Sequence, residues 1–341
     1  MTEPPVVDVH AHHVGADLVA AIETDGGAHG VSVVESPDGK RRIDVGGRRT
    51  GLPLLPALSD VTARLAFLDA AGVDVQLVAG WMDLAGYHLP AADGAWLARR
   101  QNEALASVVA AHPDRFRAAA AVPLQDADAA VTELRHAVRE LGHAAVQIGA
   151  RVEDTGLDDP ALEPFWAEAC SLDVPVVVHP AELNVPERHR RLFLHITVGN
   201  PAETTFAAAA LLLGGVLERH PGLRVLLVHG GGFLPYQLGR LDLASGRAPA
   251  NARPRAAEPA SGYLRQLYCD TIVHNAEALR FLASVHGDDR LLVGSDYPFP
   301  MRDDDPLGTV AKAFDGAAAE RVNRYNAVAF LKGGHACLST R

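Results

Sequence analysis

Short apolar runs alternate with amphipathic segments along most of the chain, and this alternation is typical of parallel α/β proteins. The apolar runs that predict buried strands are 6–10, 73–79, 116–122, 144–148, 175–179, 223–229, 266–271 and 290–295. The segments that predict helices are 60–71, 127–141, 201–219 and 317–332. The first of these helices places Val61, Leu65 and Leu68 on one face and is expected to stop at Gly72.

Two stretches interrupt the alternation. Residues 14–57 are rich in glycine and charge, and they contain two β-prone runs, 31–35 and 41–45, on either side of a Ser-Pro-Asp-Gly segment. This pattern predicts a β-hairpin flap inserted after the first strand. Residues 244–262 are rich in alanine, arginine and proline, and predict a long surface loop.

Polar side chains stand at the ends of four of the predicted strands. His10 and His12 end the first, His179 ends the fifth, His229 ends the sixth, and Asp296 follows the eighth. The carboxyl ends of the strands of a (β/α)8 barrel gather at one rim, where active sites lie. Polar residues at the ends of four strands therefore predict a (β/α)8 barrel. We expect a single domain over residues 1–341, with the flap as an insertion.

Composition narrows the class of partner. The chain is 48% hydrophobic, and 42 acidic residues outnumber 31 lysines and arginines, for a net charge of -11. This balance argues against nucleic acid or an anionic membrane as the main partner, although local arginines can still hold a small anionic substrate. Three scattered cysteines imply no disulfide framework, and the N-terminus shows no signal peptide, so we expect a cytoplasmic protein.

Four of the strand-end side chains make a ligand set. Residues i and i+2 of a strand point to the same side, so His10 and His12 should converge. Together with His179 and Asp296 they offer nitrogen and oxygen donors suited to zinc, with a position left for water or substrate. Manganese is compatible with the same ligands.

The positions of the lysines indicate how many metal ions the site holds. Two-metal hydrolase barrels usually bridge their ions with a carboxylated lysine on a middle strand, but Lys40, Lys312 and Lys332 are the three lysines here and none ends a predicted strand. We therefore expect one ion per chain. With the ligand set complete without it, His229 is expected to act as a general base.

Six short motifs are spread over nearly the whole chain. They are VDVHAH at 7–12, VPLQD at 122–126, VHP at 178–180, HGGG at 229–232, LGRLD at 238–242 and GSDYPFP at 294–300. As a series they resemble the amidohydrolase-2 branch of the amidohydrolase superfamily. The resemblance implies non-oxidative decarboxylation of a carboxylated aromatic or muconate-semialdehyde-like acid.

The resemblance also implies roles for single residues. It makes His10, His12, His179 and Asp296 zinc ligands, with Asp296 also counted among the catalytic residues, and it makes His229 the catalytic base.

For substrate binding, the resemblance implies that Phe299 lines the pocket. A flap arginine, Arg49 or Arg48, would hold a substrate carboxylate. Arg240 would reach across a homodimer interface into the partner's site to do the same.

Two other classes of function fit parts of this pattern. Glu182 stands three residues after His179, and this spacing resembles that of mononuclear deaminases, so a metal-dependent hydrolase such as a deaminase or lactonase is the alternative. A non-catalytic metal-binding scaffold would keep the ligands and lose the proton carrier. The presence of His229 argues against it.

Overall fold

The computed structural model describes residues 3–181 and 186–331. The strands in these ranges are β1 (Val7–His12), β2 (Val31–Glu35), β3 (Arg41–Val45), β4 (Arg48–Arg49), β5 (Val75–Ala79), β6 (Phe116–Ala120), β7 (Ala145–Gly149), β8 (Val176–His179), β9 (Val225–Leu227), β10 (Leu267–Asp270) and β11 (Leu291–Leu292). The α-helices are α1 (Ala16–Asp25), α2 (Val61–Ala71), α3 (Ala91–Ala111), α4 (Ala127–Arg139), α5 (Glu163–Ser171), α6 (Glu187–Arg190), α7 (Asn200–Leu213), α8 (Val216–Arg219), α9 (Leu234–Arg247), α10 (Ala276–His286), α11 (Pro306–Ala313), α12 (Gly316–Glu320) and α13 (Asn326–Phe330).

Eight parallel strands form the barrel, in the order β1-β5-β6-β7-β8-β9-β10-β11. Backbone hydrogen bonds close it between the first strand and the last: the Val9 N–H donates to the Val293 carbonyl at 2.9 Å, and the Asp296 N–H donates to the His10 carbonyl at 2.8 Å. The predicted (β/α)8 barrel is confirmed. Each of its strands overlaps one of the eight apolar runs named above.

A small antiparallel sheet, β2-β3-β4, lies between β1 and β5 in the chain. The turn between β2 and β3 places Gly39 at φ 72°, a left-handed conformation that glycine adopts without strain. Val31, Ile43 and Val45 of this sheet are buried in an apolar cluster with Trp81 and Phe299. This packing holds the sheet against residues that follow barrel strands.

Three predicted segments differ from the structure in their limits. The helix expected over 201–219 is divided into α7 and α8, because Gly215 takes φ 74° and breaks the helical geometry. The loop expected over 244–262 begins later, since α9 continues to Arg247, and it contains 3₁₀ turns at 250–252 and 260–266. The tail helix expected over 317–332 is made of α12, a π-helical turn at 321–325, and α13.

The apolar core lies on both sides of the barrel wall. One cluster packs α4, α5 and α7 against the strands around the wholly buried Phe165 and Trp166, and a second joins residues of the strands to Phe330 of α13. Among the helices described, none has both the length and the apolarity to cross a bilayer.

Three glycines after β9 form a turn that other residues do not fit. Gly230, Gly231 and Gly232 all have positive φ. A Cβ on Gly230 would lie 2.3 Å from a methyl carbon of Val273, and a Cβ on Gly232 would lie 2.1 Å from the Pro201 carbonyl oxygen. Because His229 starts this turn, the glycines set the direction of its side chain.

We expect Gly232→Ala to destabilise the fold. The φ of 62° and ψ of -128° at this position is costly for alanine, about 1–3 kcal/mol from backbone strain before the clash with Pro201 is added. The matched control is Gly246→Ala on α9, whose Cβ would meet no atom within 4 Å and which should be neutral or stabilising by up to about 1 kcal/mol. Urea denaturation followed by circular dichroism measures both changes, and equal free energies of unfolding would contradict this account of the turn.

Candidate metal centre and active site

Four buried side chains converge at one end of the barrel. His10 and His12 lie on β1, His179 ends β8, and Asp296 follows β11. One ligand atom from each of the four lies within 4.8 Å of every other. The sequence prediction that these residues come together is therefore confirmed by the geometry.

The hydrogen bonds of the imidazoles determine which nitrogen faces the centre. Each ring uses Nδ1 to contact an oxygen that can only accept, so Nδ1 carries the proton and Nε2 keeps its lone pair. The acceptors are Asp270 Oδ2 for His10 at 2.7 Å, the Gly80 carbonyl for His12 at 3.2 Å, and the Pro180 carbonyl for His179 at 2.6 Å. The Nε2 atoms of His10 and His12 are 3.2 Å apart, and they lie 3.5 and 3.3 Å from Asp296 Oδ1.

This arrangement fits a cation. His179 Nε2 and Asp296 Oδ1 are buried and have no hydrogen-bond partner within the described structure. Unprotonated nitrogens and a carboxylate oxygen that face each other repel unless a positive charge lies among them. Three imidazoles and one carboxylate form a donor set that binds zinc or manganese, so the residues present fit a single metal ion.

Burial shifts the pKa values of these groups in the direction that metal binding needs. It lowers the pKa of His12 and of His179 to about 4, and that of His10 well below its usual range. The imidazoles are therefore neutral at pH 7. Burial raises the pKa of Asp296 to about 7, so in the absence of a cation this carboxyl keeps its proton far more readily than an exposed aspartate does.

Asp270 supports the centre, and the sequence analysis missed it. Its carboxylate accepts the His10 Nδ1–H, and it also accepts the backbone N–H groups of His229 at 3.0 Å, Gly230 at 2.7 Å and Ile272 at 3.1 Å. One carboxylate thus orients a ligand ring and the glycine turn together. Asp270 ends β10, so the rule that selected the other strand-end residues could have found it.

His229 lies beside the ligand set. Its ring centroid is 5.3 Å from those of His10 and His179, and its Nδ1 is buried with no hydrogen-bond partner in the described residues. Burial, together with the neighbouring His179 and His10, lowers its pKa well below the usual range. A neutral imidazole with a free nitrogen can accept a proton.

A cavity of about 330 Å³ opens onto this cluster. Its wall includes Phe299, whose ring centroid is 5.0 Å from that of His12 and 5.6 Å from that of Trp81. Phe193 and Phe233 add further aromatic surface. The wall suits a flat, apolar molecule that presents a polar group to the ligand cluster.

Four polar residues in the cavity wall were not predicted as site residues: Asp83, Thr197, Asn200 and His274. Asp83 is buried and accepts the Gly51 N–H at 3.2 Å, while His274 is exposed. His274 (φ 52°), His229 (φ 56°) and Asp296 (φ 60°) all have left-handed backbones, which are uncommon for residues other than glycine. Strain of this kind is concentrated at functional sites and persists where the surrounding structure holds it.

The two flap arginines are both paired with acids outside this cavity. Arg48 contacts Glu153 at 2.8 Å in a smaller neighbouring cavity. Arg49 is exposed and lies 3.5 Å from Asp44. The structure therefore brings neither into the wall of the main cavity, and their role in substrate binding stays a prediction.

The remaining predicted substrate residues lie elsewhere. Arg240 is exposed on α9 and is not among the residues that line the main cavity. Glu182 lies outside the residues that the structure describes.

The amidohydrolase family model matches residues 7–333. The chain is 34% identical over 282 residues to 2-amino-3-carboxymuconate-6-semialdehyde decarboxylase of Dictyostelium discoideum, covering 80% of this chain and 76% of that protein. It is 32% identical over 244 residues to gamma-resorcylate decarboxylase of Rhodococcus jostii (strain RHA1), covering 67% of this chain and 72% of that protein.

Solved structures share the fold. The 5-carboxyvanillate decarboxylase LigW from Sphingomonas paucimobilis matches with a TM-score of 0.80 and 26% identity, covering 96% of this chain and 99% of that one. A dihydroxybenzoic acid decarboxylase from Polaromonas sp. JS666, with bound manganese and the inhibitor 2-nitroresorcinol, matches with a TM-score of 0.73 and 22% identity, covering 96% of this chain and 97% of that one.

We expect metal binding at pH 6 to release about one proton per ion. The Asp296 carboxyl, with a pKa of about 7 in the metal-free protein, is mostly protonated at pH 6, and a cation must displace that proton. The number of protons that Asp296 releases on metal binding falls as the pH rises through 7, because the carboxylate is then already ionised. Calorimetric titration with zinc in two buffers of different ionisation enthalpy measures the release. Asp296→Asn, which has no proton to lose, is the control, and equal release by both proteins would contradict the assignment.

Proposed function

Because this chain belongs to the amidohydrolase family, we propose that it is a metal-dependent decarboxylase that removes a carboxylate from a small aromatic or unsaturated acid without oxidation. One observation carries the proposal: three imidazoles and a carboxylate converge beside a further histidine, His229, at the end of an aromatic-walled cavity. The decarboxylase names of the similar proteins support this choice of reaction.

The cation is proposed to be one zinc ion per chain, held by His10, His12, His179 and Asp296. The mixed nitrogen and oxygen donors support zinc, and the manganese in the Polaromonas structure makes manganese the alternative. When bound, a divalent cation polarises the oxygens of a substrate as a Lewis acid.

The proton transfer is assigned to His229, and Asp296 contributes through the cation. His229 is neutral at pH 7, so it can accept a proton from the substrate or from water and return it to the carbon that bears the carboxylate. As that carbon gains the proton, its bond to the carboxylate breaks and CO2 leaves. Asp296 is the second catalytic residue of the proposal, because as one of the four ligands its carboxylate would help to hold the cation that polarises the substrate.

The cavity wall positions the substrate. Phe299, whose ring lies 5.0 Å from that of His12, and Trp81, whose ring lies 5.6 Å from that of Phe299, offer flat apolar surfaces to a substrate. A planar acid that lies against Phe299 would present its carboxylate end to the four ligands and to His229. The aromatic wall thus supports an aromatic or conjugated substrate.

We propose that an arginine from another copy of the chain holds a carboxylate of the substrate. Among the described residues, the wall of the main cavity contains neither lysine nor arginine. Tyr236, Arg240 and Leu243 are spaced so that they share one face of α9, and Tyr236 and Leu243 are 80% and 52% exposed. Phe206 of the adjacent α7 is 73% exposed. An apolar surface around an arginine supports a homodimer in which Arg240 reaches the partner's cavity.

We also propose that the enzyme works in the cytoplasm. Cys170 and Cys269, the cysteines within the described ranges, are both unpaired. Free thiols suit a reducing compartment.

We expect the purified protein to release CO2 from a hydroxylated benzoate or a muconate-type acid, and His229→Ala to lose about 10²–10⁴-fold in kcat. The loss follows from the removal of the proton carrier, while the ligand set is left intact. Substrate panels assayed for CO2, together with metal analysis of both proteins, check the prediction.

The same assay separates the alternatives. His229→Ala should keep one ion per chain, and loss of the ion would make His229 a ligand instead. Release of ammonia, or ring opening of a lactone, with no CO2 would favour the hydrolase alternative.

We expect mixtures of inactive His229→Ala chains and inactive Arg240→Ala chains to regain up to about a quarter of wild-type activity. Half of the dimers in a random mixture are hybrids, and one of the two sites in each hybrid has both residues intact. Activity is measured after subunit exchange.

The control mixes wild-type chains with the double variant His229→Ala/Arg240→Ala, whose hybrid dimers contain no complete site. A monomeric enzyme with full activity would contradict the shared site.

A further inference from the structure

A buried polar network lies directly behind the metal ligands and is not used in the proposed reaction. It is centred on Asp8 of β1, which is wholly buried. Asp8 Oδ1 accepts the backbone N–H groups of His10 at 3.1 Å and Ser295 at 3.0 Å. Asp8 Oδ2 accepts the Ser295 hydroxyl at 2.6 Å and the Gln76 side-chain amide at 2.7 Å. The four donors therefore belong to the ligand His10, to Ser295 beside the ligand Asp296, and to Gln76 on the next strand, β5.

Arg64 of α2 completes this network. It is wholly buried, which is rare for arginine, and it donates to Gln76 Oε1 at 2.8 Å and to the His12 carbonyl at 2.5 Å. Its guanidinium carbon is 4.7 Å from the centre of the Tyr297 ring. Burial lowers the pKa of Arg64 to about 10, so it is still a cation at neutral pH. Through Gln76, this charge compensates that of Asp8.

The network joins the two parts of the chain that carry ligands. His10 and His12 lie on β1, while Asp296 follows Ser295 on the segment after β11. The regular pairing of β1 with β5 is interrupted between Asp8 and Ala11, so the backbone near His10 depends on other bonds. Asp296 has a left-handed backbone, which also needs support from its surroundings.

A buried cluster that served only stability would not need these polar and charged side chains. Well-packed apolar residues usually stabilise a fold as well as a buried ion pair of the same volume. Here every member of the network bonds to a backbone group of a ligand or of its neighbour, or to another member that does. Because these hydrogen bonds end at the backbone of the metal ligands and their neighbours, they favour a role in holding the metal ligands in place.

We infer that Asp8, Gln76, Arg64 and Ser295, here called the Asp8 network, are positioning residues of the metal centre. They set the distance between the two histidines of β1 and Asp296, and so the fit of the cation. The inference rests on the proposed metal centre. It assigns the network a role in metal affinity that is separate from its role in stability.

The test compares Gln76→Leu and Ser295→Ala with a matched control. Each removes one donor to Asp8 Oδ2. The control is Asn102→Leu, because Asn102 is also wholly buried and bridges the Ala121 backbone and Glu133, far from the ligands in the hydrogen-bond pattern. Zinc affinity is measured by competition with a chromogenic chelator at pH 7.5. Stability of the metal-free proteins is measured in urea with chelator present.

We expect Gln76→Leu and Ser295→Ala each to weaken zinc binding by about 10–100-fold, as loss of groups that orient ligands typically does. Asn102→Leu should lower stability and leave zinc affinity within about twofold of wild type. Because Gln76 and Ser295 share Asp8, the double variant should lose less affinity than the product of the two single losses.

Two results would overturn the inference. If the network variants lose stability but keep wild-type zinc affinity, the network contributes to stability alone. If Asn102→Leu loses as much zinc affinity as they do, the loss is not specific to the network. Should Gln76→Leu fail to fold, Ser295→Ala and the milder Arg64→Lys carry the test in the same way. Wild-type protein that binds neither zinc nor manganese would overturn the proposed metal centre itself, which is a different outcome from an intact centre that is indifferent to the network.

Discussion

The hydrogen bonds between β1 and the segment around β11 close the barrel, and the metal centre depends on that closure. The bond from the Asp296 N–H to the His10 carbonyl joins two residues from opposite ends of the chain that both offer ligands. If the barrel opened there, the carboxylate would separate from the imidazoles. The fold and the centre are therefore maintained by the same few bonds, with Asp8 and Ser295 adding side-chain bonds at the same place.

Burial then decides the chemistry of the centre. The same dry environment lowers the pKa of the imidazoles and raises that of Asp296, so without a cation the site favours neutral groups over charged ones. Neutral imidazoles keep their lone pairs available, and the Nδ1 contacts turn those lone pairs inward. Burying these polar groups costs free energy, and a bound cation can offset that cost.

The cavity combines this polar end with an apolar wall. The aromatic rings come from loops after different strands, and three residues around the cavity have strained backbones, which a rigid barrel can support. The small antiparallel sheet packs against Trp81 and Phe299 and so borders the same wall. The two arginines of this sheet are paired with acids of their own chain, which leaves the exposed face of α9 as the proposed source of a cation.

The sequence by itself determined the eight strands, the barrel and the four converging ligands, because apolar runs and the polar residues that end them are local patterns and parallel strands gather their ends. It did not reveal Asp270, although that residue also ends a strand, since its role depends on which ring and which N–H groups lie nearby. Arg64 was not singled out in the sequence, and only its packing behind β1 showed its bonds to Gln76 and the His12 carbonyl. Which arginine faces a substrate was likewise undecided, because a side chain's partners depend on contacts between segments that are distant in the chain, and the tertiary structure alone brings those segments together.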